Sequence, residues 1–305
     1  MDKARRTRAR KTRAAALSVL SNASLVILKV IVGIFTGSVS ILSEAIHSAN
    51  DLLAAIIAFI SVRISDRPPD REHPYGHGKA ESISGAIEAG LIVLAAIWIV
   101  VEAVRRLLHH GEVQHLGYGT LIMLISVVMN TLVSRYLYKV AKQEDSLALL
   151  ADAQHLSTDV YTSLGVAGGL ALVWISGWHW IDPIVAIGVA VLIGHIGWKL
   201  TKDASKHLMD HGLPPSEVYQ IEDILKADTR VKSWHDLRTR KSGSQRHIDV
   251  HIVVRHDSTL VEAHHTADDL EKRIGEQFDG ANVVIHTDPY DDSSSESDKT
   301  PPRKD

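Results

Sequence analysis

Long apolar stretches separated by short polar segments fill the first two thirds of the chain, and the pattern changes near residue 204. A helix needs about 20 mostly apolar residues to cross a bilayer. Six stretches reach that length, at about 14–36, 39–64, 82–105, 117–140, 147–176 and 180–201. The pattern therefore predicts an all-α transmembrane bundle of six helices.

The last third of the chain has shorter apolar segments. Helical spacing of apolar residues predicts two helices, at about 215–228 and 259–277. Two-residue alternation and turn signals predict three strands, at about 231–240, 246–255 and 282–287. The order α-β-β-α-β predicts a small two-layer α+β domain. The final segment is rich in Ser, Asp, Lys and Pro, and its composition predicts a disordered tail.

Charge divides the chain in the same way. Residues 14–204 hold 27 Asp, Glu, Lys and Arg side chains, whereas residues 205–305 hold 34. This division indicates a membrane domain joined to a soluble domain and excludes a single soluble globule. No Cys is present, which excludes disulfides and thiolate metal sites. The net charge of −3 gives no reason to expect a nucleic-acid partner, and none is predicted.

The basic N-terminal segment predicts how the chain lies in the membrane. The positive-inside rule places this Lys- and Arg-rich segment in the cytoplasm. Six spans then put both termini on that side. The predicted domains are a basic cytoplasmic arm, a six-helix transmembrane domain, a cytoplasmic metal-binding α+β domain and a disordered tail, at 1–13, 14–204, 205–290 and 291–305.

Two of the predicted spans repeat a polar motif. The second span reads Glu-Ala-x-His-x-x-x-Asp at 44–51, and the fifth reads Asp-Ala-x-His-x-x-x-Asp at 152–159. His and Asp four residues apart lie on one helix face. An ionisable group inside a bilayer costs on the order of a few kcal/mol, so such groups usually face a partner or a water-filled path. Face to face, the two motifs offer a tetrahedral N2O2 set that suits zinc and balances its charge, from His47, Asp51, His155 and Asp159.

Other interpretations of the polar residues in the spans stay open. A single His-x-x-x-Asp pair is more often a helix contact or a buried hydrogen bond, so the metal hypothesis depends on the duplication. Glu44 and Asp152 are weaker candidates, which either line the path or lie near the aqueous ends. Asn22, Lys29 and Asn130 are interpreted as structural.

The loop between the second and third spans carries a further group of metal-ligating residue types. Asp70, His73 and His77 occur within eight residues. Their spacing fits a metal site and a solvated polar loop equally well.

The predicted soluble domain is also rich in histidine. Along its second strand, His247, Asp249 and His251 alternate with apolar residues, which predicts that they face away from the core. An outward face of this kind favours a metal cluster, of the type that can form at a subunit contact, over scattered surface histidines. Its other candidate members are His235, His264, Asp268, His286 and Asp288.

Several segments resemble the cation diffusion facilitator family, and above all its bacterial zinc and iron exporters. The likeness extends over about residues 14–290. Its specific segments are 43–47 (Ser-Glu-Ala-Ile-His), 73–81 (His-Pro-Tyr-Gly-His-Gly-Lys-Ala-Glu), 235–240 (His-Asp-Leu-Arg-Thr-Arg) and 286–289 (His-Thr-Asp-Pro).

The resemblance implies a homodimer in the bacterial inner membrane that exchanges cytoplasmic divalent metal for protons at the duplicated motif. It assigns Asp70, His73 and His77 to a second site, and it implies a salt bridge between Lys79 and Asp210 that holds the dimer. It also implies a two-metal site at the C-terminal dimer contact, formed by His235, His251, His264, His286 and Asp288. In this site the Asp288 carboxylate would bridge the two metal ions.

The sequence as a whole predicts a proton-coupled exporter of divalent cations, with Zn2+ preferred and metal sensing by the C-terminal domain. Some family members place Asp where His47 stands, and those accept cadmium or iron with zinc. The alternatives within this class are export of Fe2+, Mn2+, Co2+ or Cd2+. A membrane metalloenzyme is the alternative from another class. No His-Glu-x-x-His run supports it, so an enzyme is not predicted.

Overall fold

The computed structural model describes residues 2–36, 39–108, 119–176, 178, 180–278 and 281–290. The chain forms two compact units that divide between Leu208 and Met209. Within these ranges, the first unit contains six helices: α1 (Asp2–Thr36), α2 (Val39–Ser65), α3 (Lys79–Leu108), α4 (Gly119–Glu144), α5 (Leu147–Ser176) and α6 (Ile181–Leu208). Each predicted span corresponds to one of these helices over the described residues, and the predicted start of the fourth span at 117–118 lies outside them. The predicted tail at 291–305 lies outside the described residues.

Four of the described helices are long and apolar enough to cross a membrane. They contain the segments Arg6–Phe35, Ala45–Ser65, Lys79–Arg105 and Pro183–Leu208. Large apolar side chains such as Phe35, Trp98 and Trp198 are exposed. Exposure of this kind suits a bundle that lies in hydrocarbon, where helices satisfy their own backbone groups.

The six helices pack most closely in the pairs α1 with α2, α3 with α6 and α4 with α5, while α2 also contacts α5. At the α3–α6 contact, a Cβ atom added to Gly197 would lie 2.8 Å from Cγ2 of Val93. The missing side chain therefore allows the two backbones to approach closely, as small residues do between membrane helices.

The basic N-terminal segment forms the first part of α1. Lys11 is 1% exposed, and its Nζ lies 2.9 Å from Oε1 of Glu81 and 3.0 Å from Oδ1 of Asp66. Arg10 binds Glu144 through a contact of 2.9 Å. The helix extends through this segment because these basic side chains find carboxylates at one end of the bundle.

The second unit contains α7 (Pro215–Lys226), β1 (Val231–Ser242), β2 (Gln245–Val254), α8 (Leu260–Gln277) and β3 (Asn282–Pro289). β1 pairs with β2 in antiparallel register, and β2 pairs with β3 in parallel register. The predicted α+β fold is confirmed. Its core is formed by buried side chains of both helices and the central strand, including Ile221, Leu225, Ile248, Ile252, Leu270 and Ile274.

The alternation predicted for β2 holds with one difference. Ile248, Val250 and Ile252 are buried and Asp249 is exposed, as expected, but His247 is 5% exposed. His247 lies opposite Arg240 of β1 and Asn282 of β3, so strands flank it on both sides. The outward polar face therefore begins at Asp249.

Candidate metal centres

The two copies of the polar motif meet through crossed contacts between α2 and α5. Nε2 of His155 lies 3.4 Å from Oδ1 of Asp51, and Nε2 of His47 lies 4.0 Å from Oδ1 of Asp159. Each imidazole therefore faces the carboxylate of the other helix. Ligand atoms of His47, Asp51 and Asp159 lie within 4.8 Å of one another, and His155 adjoins them through Asp51. All four predicted residues come together.

Exposure differs strongly across this bundle centre, which consists of His47, Asp51, His155 and Asp159. The side chains of Asp51 and His155 are 7% and 11% exposed, whereas that of His47 is 56% exposed. Oδ2 of Asp159 and Nδ1 of His155 are buried and make no hydrogen bond. Because buried polar atoms nearly always have a partner, these atoms can accept a cation or proton.

A cavity of about 150 Å³ adjoins the bundle centre and is lined by polar residues of several helices. Lys29, which sequence reasoning treated as structural, lines it and donates a hydrogen bond of 2.8 Å from Nζ to Oγ of Ser48. Asn130 also lines the cavity, whereas Asn22 donates to the carbonyl oxygen of Ser18 within α1. The chain thus places a buried ammonium group beside two carboxylates.

Of the two weaker candidates, Asp152 lies outside the group formed by the four predicted ligands. Asp152 is 1% exposed, and neither of its carboxylate oxygens makes a hydrogen bond. Its surroundings are a separate feature of the α3–α5 contact. The side chain of Glu44 lies outside the described residues.

The loop between α2 and α3 gathers its three predicted residues. Nδ1 of His73 lies 3.2 Å from Oδ1 of Asp70, and Nε2 of His77 lies 3.3 Å from Oδ2 of the same carboxylate. Oδ1 of Asp70 also accepts a hydrogen bond of 2.7 Å from the backbone N–H of His73. This backbone bond, with smaller effects of the two histidines, lowers the pKa of Asp70. The loop therefore presents an ionised carboxylate between two imidazoles.

Three histidines form a row across the sheet of the second unit. The strand register pairs His235 with His251 and His251 with His286, and adjacent rings have centroids 5.1 and 4.7 Å apart. Asp288 lies against all three: Oδ2 is 3.5 Å from His235 and 3.2 Å from His251, and Oδ1 is 3.3 Å from His286. A carboxylate with both oxygens engaged in this way has the geometry of a bridging ligand.

His264 does not join this sheet row, which consists of His235, His251, His286 and Asp288. It lies on α8, where its Nε2 is 3.5 Å from Oδ2 of Asp268. In a homodimer a side chain of this kind can complete a site on the other subunit, so its role stays a prediction.

The predicted pair Lys79 and Asp210 also stays a prediction. Nζ of Lys79 donates to the carbonyl oxygen of Leu208 at 3.5 Å. Oδ1 of Asp210 lies 3.4 Å from the guanidinium group of Arg240.

Sequence reasoning missed two candidate residues, Asp236 and Glu88. Asp236 groups with His235 and His251, because a β-bulge and a positive φ of 51° interrupt β1 there. An Asp beside a predicted ligand was a usable signal. Glu88 is completely buried within α3, and the apolar character of the surrounding span concealed it.

The fold and these groups define a class: an integral membrane protein with a cluster of candidate cation ligands between its helices and a histidine-rich second domain. Comparisons with known proteins agree. Residues 15–209 match the family model of the cation efflux transmembrane domain, and residues 213–290 match that of the cytoplasmic domain of cation efflux proteins. The chain belongs to the cation efflux, or cation diffusion facilitator, family of transporters, which confirms the resemblance found in the sequence. The cytoplasmic model is that of a dimerisation domain and indicates a homodimer.

Individual relatives align over nearly the whole chain. The uncharacterized transporter sll1263 of Synechocystis sp. is 36% identical over 270 residues, which cover 88% of this chain and 87% of the relative. The cation-efflux pump FieF of Klebsiella pneumoniae is 33% identical over 278 residues, with coverage of 91% and 92%. A solved structure from a study of CzrB, described there as a candidate zinc transporter, is 38% identical. It covers 26% of this chain and all of that chain, with a TM-score of 0.26.

Proposed function

We propose that the chain exports divalent metal cations, with Zn2+ preferred, from the bacterial cytoplasm in exchange for protons. Membership of the cation efflux family supports the export of a divalent cation. The crossed His–Asp contacts between α2 and α5 carry the finer proposal, because they join four ligand side chains from two helices.

The charge and the donor atoms of the bundle centre favour zinc. Two carboxylates offset the double charge of the ion, which low-dielectric surroundings require. Two imidazole nitrogens and two carboxylate oxygens match the tetrahedral preference of Zn2+. Mg2+ and Mn2+ prefer sets made of oxygen alone, so the histidines on α2 and α5 disfavour them.

Competition between metal and protons at the same atoms supports the coupling. A histidine binds metal only when the ligating nitrogen is unprotonated, so metal release and proton uptake are linked. The unperturbed pKa of histidine is about 6.5, which lies close to neutrality. Protons that enter from the outer side would displace the ion, and the proton gradient would drive export.

The loop group and the sheet row supply the proposed sites outside the membrane. Asp70, His73 and His77 would hold metal near the cytoplasmic end of the helices. The sheet row would bind metal when it is abundant and favour one arrangement of the homodimer, in which His264 of each subunit takes part. Binding energy would then couple to transport by linkage. Both termini would lie in the cytoplasm.

Transport by the Asp51→Asn variant in proteoliposomes tests this proposal. The protein is reconstituted with a zinc-sensitive dye and a pH dye inside, and Zn2+ is added outside. We expect Zn2+ influx with opposite proton movement for the wild type, and neither for Asp51→Asn. The matched control Asp257→Asn changes an exposed carboxylate in the second unit and should transport normally. Full transport by Asp51→Asn contradicts the assignment of the bundle centre, and Zn2+ flux without proton movement contradicts the coupling.

A further inference from the structure

The contact between α3 and α5 contains two buried carboxylates outside the bundle centre. Glu88 on α3 and Asp152 on α5 are 0% and 1% exposed. A Cβ atom added to Gly85 would lie 3.1 Å from Cγ of Leu147, so the two helices touch one turn before Glu88. Apolar neighbours of both helices pack in one cluster there. The carboxylates are close enough to repel each other electrostatically.

Most of the oxygen atoms of this pair have no hydrogen-bond partner. Oε2 of Glu88 and both carboxylate oxygens of Asp152 are buried and make no hydrogen bond. Oε1 of Glu88 accepts only a contact of 3.3 Å from Oγ of Ser84. The hydroxyl of Ser18 faces Asp152 without completing a hydrogen bond. Because leaving such oxygens without a partner is costly, the arrangement calls for a ligand.

A third buried carboxylate shows how this chain neutralises such a group when it supplies the cation itself. Glu81 lies two turns before Glu88 on α3 and is also 0% exposed. Its Oε1 binds Nζ of Lys11 at 2.9 Å and accepts a hydrogen bond from Oγ of Ser65 at 2.9 Å. Among the described residues, no lysine or arginine makes such a contact with Glu88 or Asp152. Within the described residues, His155 alone acts electrostatically on both carboxylates as a cation would, so a cation from outside the chain can supply the direct partner that Lys11 gives Glu81.

The pair lies beside the bundle centre, toward the end of the bundle that holds Glu81. Asp152 precedes His155 by one helix turn on α5, and His155 interacts electrostatically with both carboxylates. At that end, Oγ of Ser146 donates to Oε2 of Glu81, which places the start of α5 near the start of α3. Glu88 and Asp152 therefore lie between this end and the four ligands.

We propose that Glu88 and Asp152, with the hydroxyl of Ser84, form an additional cation site within the bundle, which a divalent metal occupies on its way between this end and the bundle centre. The inference rests on the proposed export function. An all-oxygen set binds hard cations such as Mn2+ and holds Zn2+ more weakly than a site with imidazoles. Weak binding suits transit, because conduction needs a site that an ion can enter and also leave.

The test compares full-length wild type with Glu88→Gln and Asp152→Asn, which keep side-chain shape and remove charge. Bound Mn2+ is counted by electron paramagnetic resonance, and Zn2+ transport is measured in proteoliposomes. We expect each variant to lose one Mn2+ equivalent. We also expect the rate at subsaturating Zn2+ to fall about tenfold while the rate at saturation changes little, as for a lost entry step. Glu102→Gln, on the same helix, is the matched control and should match wild type.

Two results overturn the proposal. One is an unchanged Mn2+ count and unchanged Zn2+ kinetics. The other is an unchanged Mn2+ count with fewer protons released per metal bound, which would show that the pair holds a proton. If an amide variant does not fold, Ser84→Ala, which keeps both carboxylates, should weaken Mn2+ binding severalfold, and unchanged binding overturns the site. Loss of transport in Asp51→Asn with wild-type behaviour of the Glu88 and Asp152 variants rejects this site alone.

Discussion

The bundle centre and the sheet row use the same donor types in opposite surroundings. Asp51 is 6% exposed between apolar helices, whereas the side chain of Asp288 is 32% exposed at the surface of a sheet. A carboxylate in low-dielectric surroundings needs a cation or a proton nearby, because water cannot stabilise its charge. At the surface, water performs this role when the site is empty.

This difference separates what the two groups can do. The bundle centre favours exchange of one positive occupant for another, since an empty centre is unfavourable, and such exchange suits an antiporter. The sheet row can be filled or empty at little cost, so its occupancy can follow the metal concentration. Residue type alone does not separate these roles, whereas burial does.

The largest expected effect is the loss of transport when a bundle carboxylate becomes an amide. Asp159→Asn should lower the Zn2+ transport rate at least about 100-fold, more than the loss of a residue that only supports a ligand. Asp288→Asn should lower it less, by about tenfold, because an allosteric site acts only through its coupling energy, typically about 1–3 kcal/mol. The measurement is initial Zn2+ flux in proteoliposomes with equal protein content.

Asp223→Asn, in the second unit and outside all three metal groups, serves as the control. Equal losses in the Asp159 and Asp288 variants would contradict the division between a transport centre and a sensing row.

Metal preference should change next most strongly when His47 is replaced. His47→Asp exchanges an imidazole nitrogen for a harder oxygen at the exposed edge of the bundle centre, so the Zn2+-to-Mn2+ transport ratio should fall about tenfold. Competition between the two metals in one vesicle preparation measures the ratio. His256→Asp, on an exposed turn of the second unit, should leave it unchanged. A higher preference for Zn2+ in His47→Asp would contradict the N2O2 assignment.

A smaller effect is expected from Lys29, whose ammonium group lines the cavity beside Asp51 and Asp159. Lys29→Gln removes a positive charge that repels the incoming ion, so the KM for Zn2+ should fall roughly threefold to tenfold and release should slow. Ser48→Ala is the matched control, because it removes the hydrogen bond of 2.8 Å but keeps the ammonium group. A raised KM in Lys29→Gln would indicate that Lys29 supports the site in another way.

Patterns of apolar residues were sufficient to predict the fold. The runs that end near Thr36 and Ser65 and the alternation along β2 located helices and strands within a few residues, apart from the N-terminal segment. That segment extends α1 because Lys11 reaches Asp66 and Glu81, which lie far away along the chain. Contacts of this kind depend on helix packing and leave no local signal.

The metal groups were predictable as sets of residues but not as geometries. Duplication of His-x-x-x-Asp predicted which four side chains come together, yet the crossed pairing of His155 with Asp51 depends on how α2 and α5 rotate against each other. Glu88 was missed because one carboxylate in a long apolar run hardly changes the pattern. The position of His264 away from the sheet row also follows from helix orientation, which spacing does not determine.

The smallest expected effect concerns the stability of the second unit, which should depend on pH rather than on bound metal. The Arg230 guanidinium group, which donates hydrogen bonds of 2.8 and 2.9 Å to the Asp228 carboxylate, holds the pKa of Asp228 below its usual value, with Arg273 adding to the effect. A carboxyl group with a lowered pKa in the folded state stabilises the fold above its unfolded pKa of about 4 and loses this contribution as the pH falls through the folded value.

Asp228→Asn should therefore lower the free energy of unfolding of the second unit by about 1 kcal/mol at neutral pH, and its stability should change less on acidification than that of wild type. Hydrogen exchange of peptides within residues 213–278 in the full-length protein, corrected for intrinsic rates, measures both effects. Asp257→Asn is the exposed control. A chelator at neutral pH should leave protection largely intact, because the core consists of buried apolar side chains such as Ile252 and Leu270. Unfolding of the unit on chelation would show that metal in the sheet row is structural. The row could then not act as a sensor that is empty at low metal concentration.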